Sequence, residues 1–217
     1  MKKSAAILMA LALSSTVVYA DEMAVAGKVG TLGVGAELSM PIADGITGRV
    51  GLNMFSYGVN TTRSTVNYDM KLQLQTISAL ADWYPMDGGF RTSAGLFYNN
   101  NKATFNALPA AGGSFVINGN TTYNTGNVTS LQGSMTFNSL APYIGIGWGN
   151  PVAKDKGWGF VADIGLLYQG TPKASLTATG TALGLANDVA LEQAKLQSAL
   201  NSFTWYPVAM LGLSYQW

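Results

Sequence analysis

Seven charged residues are the candidates for chemistry in this chain. They are Glu37, Arg49, Lys71, Asp82, Arg91, Asp163 and Lys173. Each lies on the polar side of a segment in which every second residue is apolar, and side chains alternate between two faces along a β-strand. If the apolar faces point outward, these charges line the interior of a sheet that closes on itself. There they could form ion pairs that fill the lumen, or they could line a polar path through it.

Histidine and cysteine are both absent from the sequence. No imidazole base, His metal ligand, disulfide or thiolate metal site can therefore be built. A nucleophilic serine usually needs a base to activate it, and no Ser–Lys or paired-carboxylate grouping has convincing spacing. We expect no enzymatic activity, no catalytic residue, no bound metal and no cofactor.

The first twenty residues have the pattern of a secretory signal peptide. Lys2 and Lys3 precede an apolar run over residues 5–13, and Ala20 ends a small-residue cleavage site. A membrane-anchoring helix would need about 20 apolar residues, so cleavage is favoured over anchoring. We expect residues 1–20 to be a signal peptide and residues 21–217 to form one exported domain. The net charge of +1, without a basic run, argues against nucleic acid as a partner.

Period-two alternation indicates β-strands along most of the exported domain. The segments are 31–42, 46–58, 66–84, 90–99, 140–149, 158–178 and 205–217. No segment has the 18 or so consecutive apolar residues of a membrane helix, and a membrane protein without such helices must be a closed barrel. Connections alternate between short and long, as in outer-membrane barrels, which have even strand numbers. We predict that Glu22–Gly30 adds an eighth strand and closes against the last one.

The predicted fold class is therefore all-β: a single closed antiparallel transmembrane β-barrel of eight strands. Three local features are predicted within it. A bulge after Thr76 would turn the apolar residues of the following segment outward. A hairpin is expected within the polar loop 107–138, with its strands at 114–117 and 121–123. A helix over about 188–201, capped by Asn187 or Asp188, would lie in the last external loop, 180–203.

Aromatic side chains cluster at the ends of the predicted strands. They include Trp83, Trp148, Trp158, Trp205, Tyr215 and Trp217. Rings at these positions are typical of the two interfaces of a membrane barrel, and a ligand-stacking platform is the alternative. A strand that ends on an aromatic residue, here Trp217, resembles the terminal signature by which bacterial outer-membrane barrels are recognised for insertion. Expected partners are therefore outer-membrane lipid and, during insertion, the barrel-assembly machinery.

Several stretches together resemble a known group of proteins. They are V-G-T-L-G-V-G at 29–35, A-D-W-Y-P at 81–85, A-P-Y-I-G-I-G-W-G at 141–149, W-G-F-V-A-D-I-G-L-L-Y-Q-G-T-P-K-A-S-L-T at 158–177 and W-Y-P-V at 205–208. They resemble proteobacterial outer-membrane barrels and, more distantly, the carbapenem-associated ornithine-uptake porin family. The resemblance implies an eight-stranded barrel and, for the ornithine porins, slow uptake of small basic solutes. Asp163 and Lys173 fall on positions that match.

Two functions stay open at this point. The first is a narrow channel for passive uptake of small polar solutes, with cations attracted by Glu37, Asp82 and Asp163. The second is a barrel with a plugged lumen that acts through its external loops, as a structural or surface-interaction protein. An eight-stranded lumen is just wide enough for side chains to fill, so the same charges serve either function. We expect a monomer in the bacterial outer membrane.

Overall fold

The chain folds into antiparallel strands and one helix. The computed structural model describes residues 22–63, 66–86, 88–109, 113–119, 121–152 and 156–217, and the expected signal peptide lies outside this range. In chain order the elements are β1 (Ala24–Gly30), β2 (Gly33–Ala43), β3 (Ile46–Arg63), β4 (Val66–Trp83), β5 (Phe90–Asn99), β6 (Lys102–Pro109), β7 (Ser114–Ile117), β8 (Thr121–Asn124), β9 (Val128–Thr136), β10 (Leu140–Trp148), β11 (Gly157–Tyr168), β12 (Lys173–Gly180), α1 (Leu185–Leu200) and β13 (Trp205–Gln216). The described residues include no helix long and apolar enough to cross a bilayer.

Eight of the strands pair in a closed circuit. β1 pairs with β2, and the ladder continues through β3, β4, β5, β10, β11 and β13. β13 then pairs with β1, which returns the circuit to its start. Every pairing is antiparallel. The predicted eight-stranded barrel is confirmed, and the segment Glu22–Gly30 supplies its closing strand as β1.

A tight turn separates β1 from β2, where the sequence predicted one strand over 31–42. Gly30 pairs with Gly33, and Gly33 has a φ of 97°, which glycine adopts without steric cost. The turn directs Leu32 into the barrel, where it is 2% exposed. The alternation starts afresh after the turn, so Leu32 is buried and Val34, two residues later, is exposed on the outer face.

Three further strands extend the barrel sheet at the end with the long connections. The far half of β4 pairs with β6, β6 pairs with β9, and β9 pairs with β12. We call β6, β9 and β12, with the far halves of β3 and β4, the external sheet. The predicted strand 158–178 is in fact two strands, since the chain turns at Gly170 with a φ of 68° and β12 leaves the barrel. The predicted hairpin is confirmed as the β7–β8 pair.

Helix α1 covers the free edge of the external sheet. The backbone N–H groups of Ala174 and Leu176, on edge strand β12, donate to the side-chain Oε1 atoms of Gln197 and Gln193 at 3.0 and 2.9 Å. The helix is present as predicted, but the predicted cap is wrong. Gly184 stands at the N-cap without a side-chain hydrogen bond, so Asn187 and Asp188 lie inside the first turns.

The outward face of β3 and β4 changes from apolar to polar along the strands. On β3 it holds Leu52 and Met54 and then Ser56; on β4 the apolar Ile77 gives way to Gln75. The two strands stay in constant register throughout, so the predicted bulge after Thr76 is wrong. The alternation keeps the same phase along both strands, and what changes is the medium that their outer face contacts. An apolar outer face suits lipid, and a polar outer face suits water.

An apolar core fills the inner side of the external sheet. Its buried members are Val66, Ala107, Ile117, Tyr123, Val128, Leu176, Leu185 and Val189. They come from the sheet, the β7–β8 hairpin and α1. The part of the protein beyond the barrel is therefore built like a small water-soluble fold, with apolar residues inside and polar residues outside.

Candidate functional site

Six charged side chains from six barrel strands meet inside the barrel. They are Lys28, Glu37, Arg49, Asp82, Arg91 and Asp163, carried by β1, β2, β3, β4, β5 and β11 in that order. Their side chains are 0 to 8% exposed. We call this group the ion-pair layer. Burial of an isolated charge is expensive, so the layer depends on each member finding partners.

Arg49 lies at the centre of the layer and contacts all three acids. Its Nη1 donates to Glu37 Oε1 at 3.0 Å, and its Nε lies 2.6 Å from Asp82 Oδ2. Its Nη2 lies 3.3 Å from Asp163 Oδ1. The guanidinium is planar and carries five N–H donors in a fixed fork, which lets one side chain join three strands.

The other two bases connect the acids around Arg49. Lys28 Nζ lies 2.5 Å from Glu37 Oε1 and 2.8 Å from Asp163 Oδ2. Arg91 Nη2 lies 2.7 Å from Asp163 Oδ1, and Arg91 Nε lies 3.2 Å from Asp82 Oδ2. Every acid thus contacts at least two bases, and every base contacts at least two acids. Such a layer is a closed network across the lumen rather than a set of separate pairs.

Glycines on neighbouring strands make room for the long charged side chains. A Cβ added to Gly147 would lie 2.8 Å from both Arg91 Cζ and the backbone oxygen of Ala162. One added to Gly212 would lie 2.8 Å from Lys28 Cγ and nearer still to the backbone oxygen of Gly27. Gly147 pairs directly with Arg91 across β10 and β5, and Gly212 pairs with Lys28 across β13 and β1. Strands β10 and β13 contribute no charge to the layer, but their glycines give it space.

An apolar layer also lies inside the barrel, in contact with the ion-pair layer. Its buried members are Leu32, Leu80, Phe97, Ala141, Tyr143, Leu167, Val208 and Met210. Residues of both layers line a cavity of about 20 Å³, which is room for about one water molecule. The side chains that line this cavity therefore leave little open space between the two layers.

The structure brings five of the seven predicted charges together and leaves two elsewhere. Glu37, Arg49, Asp82, Arg91 and Asp163 belong to the ion-pair layer. Lys71 and Lys173 are exposed on β4 and β12, on the outer side of the external sheet. The prediction of Lys71 as a lumen residue is wrong because β4 continues past the membrane, where its polar side faces water. The prediction of Lys173 is wrong because the chain turns at Gly170 and β12 leaves the barrel.

Sequence reasoning missed Lys28 as a sixth member of the ion-pair layer. The signal was present in the alternation of β1, where Ala24, Ala26 and Lys28 share one face and Val25 and Val29 the other. Only the existence of that strand was predicted, and its faces were not assigned. With Lys28 the layer holds three acids and three bases, so its formal charges balance.

The six aromatic residues named from the sequence are all exposed on the outer surface. Five stand at the end with the short turns: Trp83, Trp148, Trp158, Tyr215 and Trp217. Trp205 stands at the opposite end of β13, where its ring lies 4.9 Å from that of Tyr168. Trp158 and Tyr215 pack similarly at 5.2 Å. Two exposed aromatic groups at opposite ends of an apolar wall are the arrangement of a membrane barrel.

Solved structures that are similar to this chain include two proteins from Acinetobacter baumannii. The crystal structure of CarO2 has 25% sequence identity and a TM-score of 0.58, over 90% of this chain and 98% of that one. The crystal structure of CarO has 21% identity and a TM-score of 0.57, over 89% and 97%. No protein-family model matches the chain, and no curated protein sequence matches it.

These comparisons confirm the resemblance to the carbapenem-associated outer-membrane proteins at the level of structure. Nearly the whole of the CarO2 chain is covered, so the likeness includes the external part as well as the barrel. The protein is an outer-membrane β-barrel. Outer-membrane barrels have short turns on the periplasmic side and longer connections outside, and on that asymmetry we expect the external sheet and α1 to lie on the outer side.

Proposed function

We propose that the protein is a gated barrel through which small polar solutes cross the outer membrane when the ion-pair layer opens. The observation that supports this most is the composition of the plug. The centre of the lumen is filled with ionised side chains, although apolar side chains would close a lumen of this width equally well.

A charged plug differs from an apolar one in how it responds to water. Replacing a buried ion-pair network by well-packed apolar residues is often neutral or stabilising, so stability alone does not account for the layer. When water or a polar solute enters, however, each separated charge regains hydration. A network such as that of Arg49 with Glu37, Asp82 and Asp163 can therefore part and re-form, whereas an exposed apolar plug gains nothing from water.

The charge balance of the layer indicates weak charge selectivity. Glu37, Asp82 and Asp163 were expected to attract cations, but Lys28, Arg49 and Arg91 contact the same carboxylates. We therefore propose that the solutes are small and polar, and that size selects them more strongly than sign of charge.

Solute flux through refolded protein tests this proposal. Residues 21–217 are reconstituted into liposomes, and swelling is measured with small amino acids and sugars. Asp163→Ala removes the carboxylate that contacts Lys28, Arg49 and Arg91, and we expect it to raise flux several-fold over wild type. Asp69→Ala, an exposed acid on the external sheet, serves as the control and should match wild type. Wild-type flux no greater than that of protein-free liposomes would overturn the proposal, whatever the variant does.

A second candidate function is supported by a groove on the inner side of the external sheet. The groove has a volume of about 380 Å³ and is lined mainly by apolar side chains, including those of Tyr57, Leu72, Leu196 and Leu200. On this alternative the closed barrel is an anchor, and the external part takes up apolar molecules.

Binding of the fluorescent apolar probe N-phenyl-1-naphthylamine to the refolded protein tests this candidate. Leu72→Gln should weaken binding several-fold, while Leu183→Gln, at a residue that is 99% exposed, should not. Equal binding by both variants would exclude the groove as the site of uptake.

A further inference from the structure

The outer side of the external sheet carries a row of side chains that runs across four strands. Gln73 on β4 pairs with Lys102 on β6, Lys102 pairs with Thr136 on β9, and Thr136 pairs with Lys173 on β12. Directly paired residues point to the same side of a sheet. Two lysines thus stand in one cross-strand row, and we call it the lysine row.

A second row lies next to the lysine row, farther from the barrel. It consists of Lys71, Thr104, Ser134 and Ser175, which are cross-strand partners in that order. Together the two rows present three lysine ammonium groups among hydroxyl and amide groups. Lys71, Lys102 and Lys173 form no salt bridge within the described part of the chain, and all three are exposed.

The surface is concave rather than flat. A cavity of about 470 Å³ is lined by Lys71, Lys102, Thr104 and Ser134, together with Asn106 and other polar residues of β9 and β12. Asp69 is the one acid among its lining residues. This lining offers several hydrogen-bond donors to an anion beside apolar surface to which Phe105 contributes, and Lys173 lies outside it in the neighbouring lysine row.

The height of this surface above the hydrocarbon core indicates that its lysines can reach the lipid headgroups. Tyr98 and Leu140 are paired and exposed at the end of the lipid-facing wall, and Lys102 follows Tyr98 on the same side of the sheet. Four residues of strand span about 13 Å, and the polar region on each side of the hydrocarbon core is about 5 to 8 Å thick. A lysine side chain can reach back toward the membrane from this height.

We propose that the outer side of the external sheet binds the phosphorylated headgroups of outer-leaflet lipids. Two observations support lipid as the occupant. Strands β3 and β4 continue from the lipid-facing wall into this surface without a break in strand or register. Three lysines that form no salt bridge within the described residues, against one acid, complement a phosphate group. The proposal does not depend on whether the lumen conducts.

Lipid retention in nanodiscs tests the proposal. The refolded protein is placed in discs of phosphatidylcholine containing a tenth of bis-phosphorylated lipid A, and bound lipid is counted by native mass spectrometry. Lys102→Gln with Lys173→Gln removes both charges of the lysine row. Lys156→Gln with Lys195→Gln removes the same number of charges away from this surface and is the matched control.

We expect wild type and the control to retain lipid A in preference to phosphatidylcholine, and the lysine-row variant to retain at least threefold less. Retention should also fall as salt is raised, because exposed charges are screened. Equal retention by all three proteins would overturn the proposal. Binding of inorganic phosphate to the wild type in lipid-free detergent, with no preference for lipid A over phosphatidylcholine in the discs, would also overturn it, since the surface would then be a site for soluble anions.

Discussion

Met54 and Gln75 are cross-strand partners on β3 and β4, and they mark the level at which the protein leaves the membrane. On the barrel side of this pair the outward residues of both strands are apolar, and beyond it they are polar. The next pair, Phe55 with Leu74, points inward and starts the apolar inner side of the external sheet. The β3–β4 ladder therefore passes from lipid into water. Its apolar face changes from the outer side to the inner side at the level of Met54 and Gln75.

The free-energy cost of introducing a charged residue should be larger on the barrel side of the Met54–Gln75 pair than beyond it. Val50→Arg puts an arginine on the lipid-facing wall, where we expect a loss of about 2–4 kcal/mol of folding free energy. Ser56→Arg introduces the same side chain beyond Met54 and should cost less than about 1 kcal/mol. Equilibrium folding into lipid vesicles measures both. A cost for Ser56→Arg as large as that for Val50→Arg would contradict the assigned level.

Removing the central base of the ion-pair layer should be strongly destabilising. Arg49→Met leaves three buried carboxylates with only Lys28 and Arg91, and breaking a buried ion pair costs about 3–5 kcal/mol. Folding free energy in vesicles measures the loss, with the exposed Lys156→Met as the control. Adding Asp82→Asn to Arg49→Met should recover part of the loss, because it removes an uncompensated charge. Strictly additive effects would show that Arg49 and Asp82 do not interact.

The barrel and most of the ion-pair layer could be predicted from the sequence because both depend on local alternation. Glu37, Arg49 and Asp163 stand between apolar neighbours in strands bounded by clear turns. The placement of Lys71 failed because alternation gives the two faces of a strand but not the surroundings of each face. In lipid the apolar face of a strand points outward, whereas in water the apolar face of the same strand points to the core.

The external sheet was the part least accessible to sequence reasoning. The pairs of β6 with β9 and of β9 with β12 join segments that are distant in sequence and rich in Thr, Ser, Asn and Gly. These residues are typical of loops as well as of water-facing strands. The β7–β8 hairpin was predictable because Asn118-Gly119 marks its turn locally.

The space that Gly147 leaves for Arg91 can be tested directly. Gly147→Ala would place a methyl group 2.8 Å from both Arg91 Cζ and the backbone oxygen of Ala162, and overpacking of this kind typically costs about 1–3 kcal/mol. Gly27→Ala is the matched control, since a Cβ at Gly27 meets nothing within 4 Å. The temperature at which the folded band is lost on cold-loaded gels should fall for Gly147→Ala and stay unchanged for Gly27→Ala. The reverse order would disprove the role of Gly147.

The glutamines of α1 should protect the edge of β12 from exchange. In the double variant Gln193→Ala with Gln197→Ala, the amides of Leu176 and Ala174 lose their acceptors. We expect their hydrogen exchange to speed up by about tenfold or more, since one hydrogen bond contributes about 1 kcal/mol and two are lost. Glu192→Ala on the same helix should leave both amides protected. Unchanged exchange in the double variant would show that packing alone covers the edge.

Docking of the β7–β8 hairpin on α1 should weaken at low pH. Hydrogen bonds from Thr121 and from Tyr123, whose hydroxyl donates at 2.8 Å, hold the pKa of Asp188 below its ordinary value of 3.8. Since the folded pKa is the lower one, this contribution is complete above the ordinary value and is lost as pH falls through the folded pKa.

NMR chemical shifts of the hairpin amides, followed from pH 6 to pH 2, measure the docking. The transition should lie below pH 4, and Asp188→Asn should abolish it, whereas Glu192→Gln should leave it in place. A transition that persists in Asp188→Asn would assign it to another carboxyl.

The pairing of Ala24 with Gln216 sets an order of events during assembly. Neighbouring hairpins can form as soon as their strands are present, but one side of β1 must wait for β13. Bringing two such distant segments together costs about 5 kcal/mol of chain entropy, and non-local pairing is slow. Until that join is made, β1 exposes unpaired backbone groups that could add to another chain. Between the time at which β1 is available and the time at which β13 pairs with it, the barrel therefore most needs a chaperone or assembly factor that covers the free edge of β1.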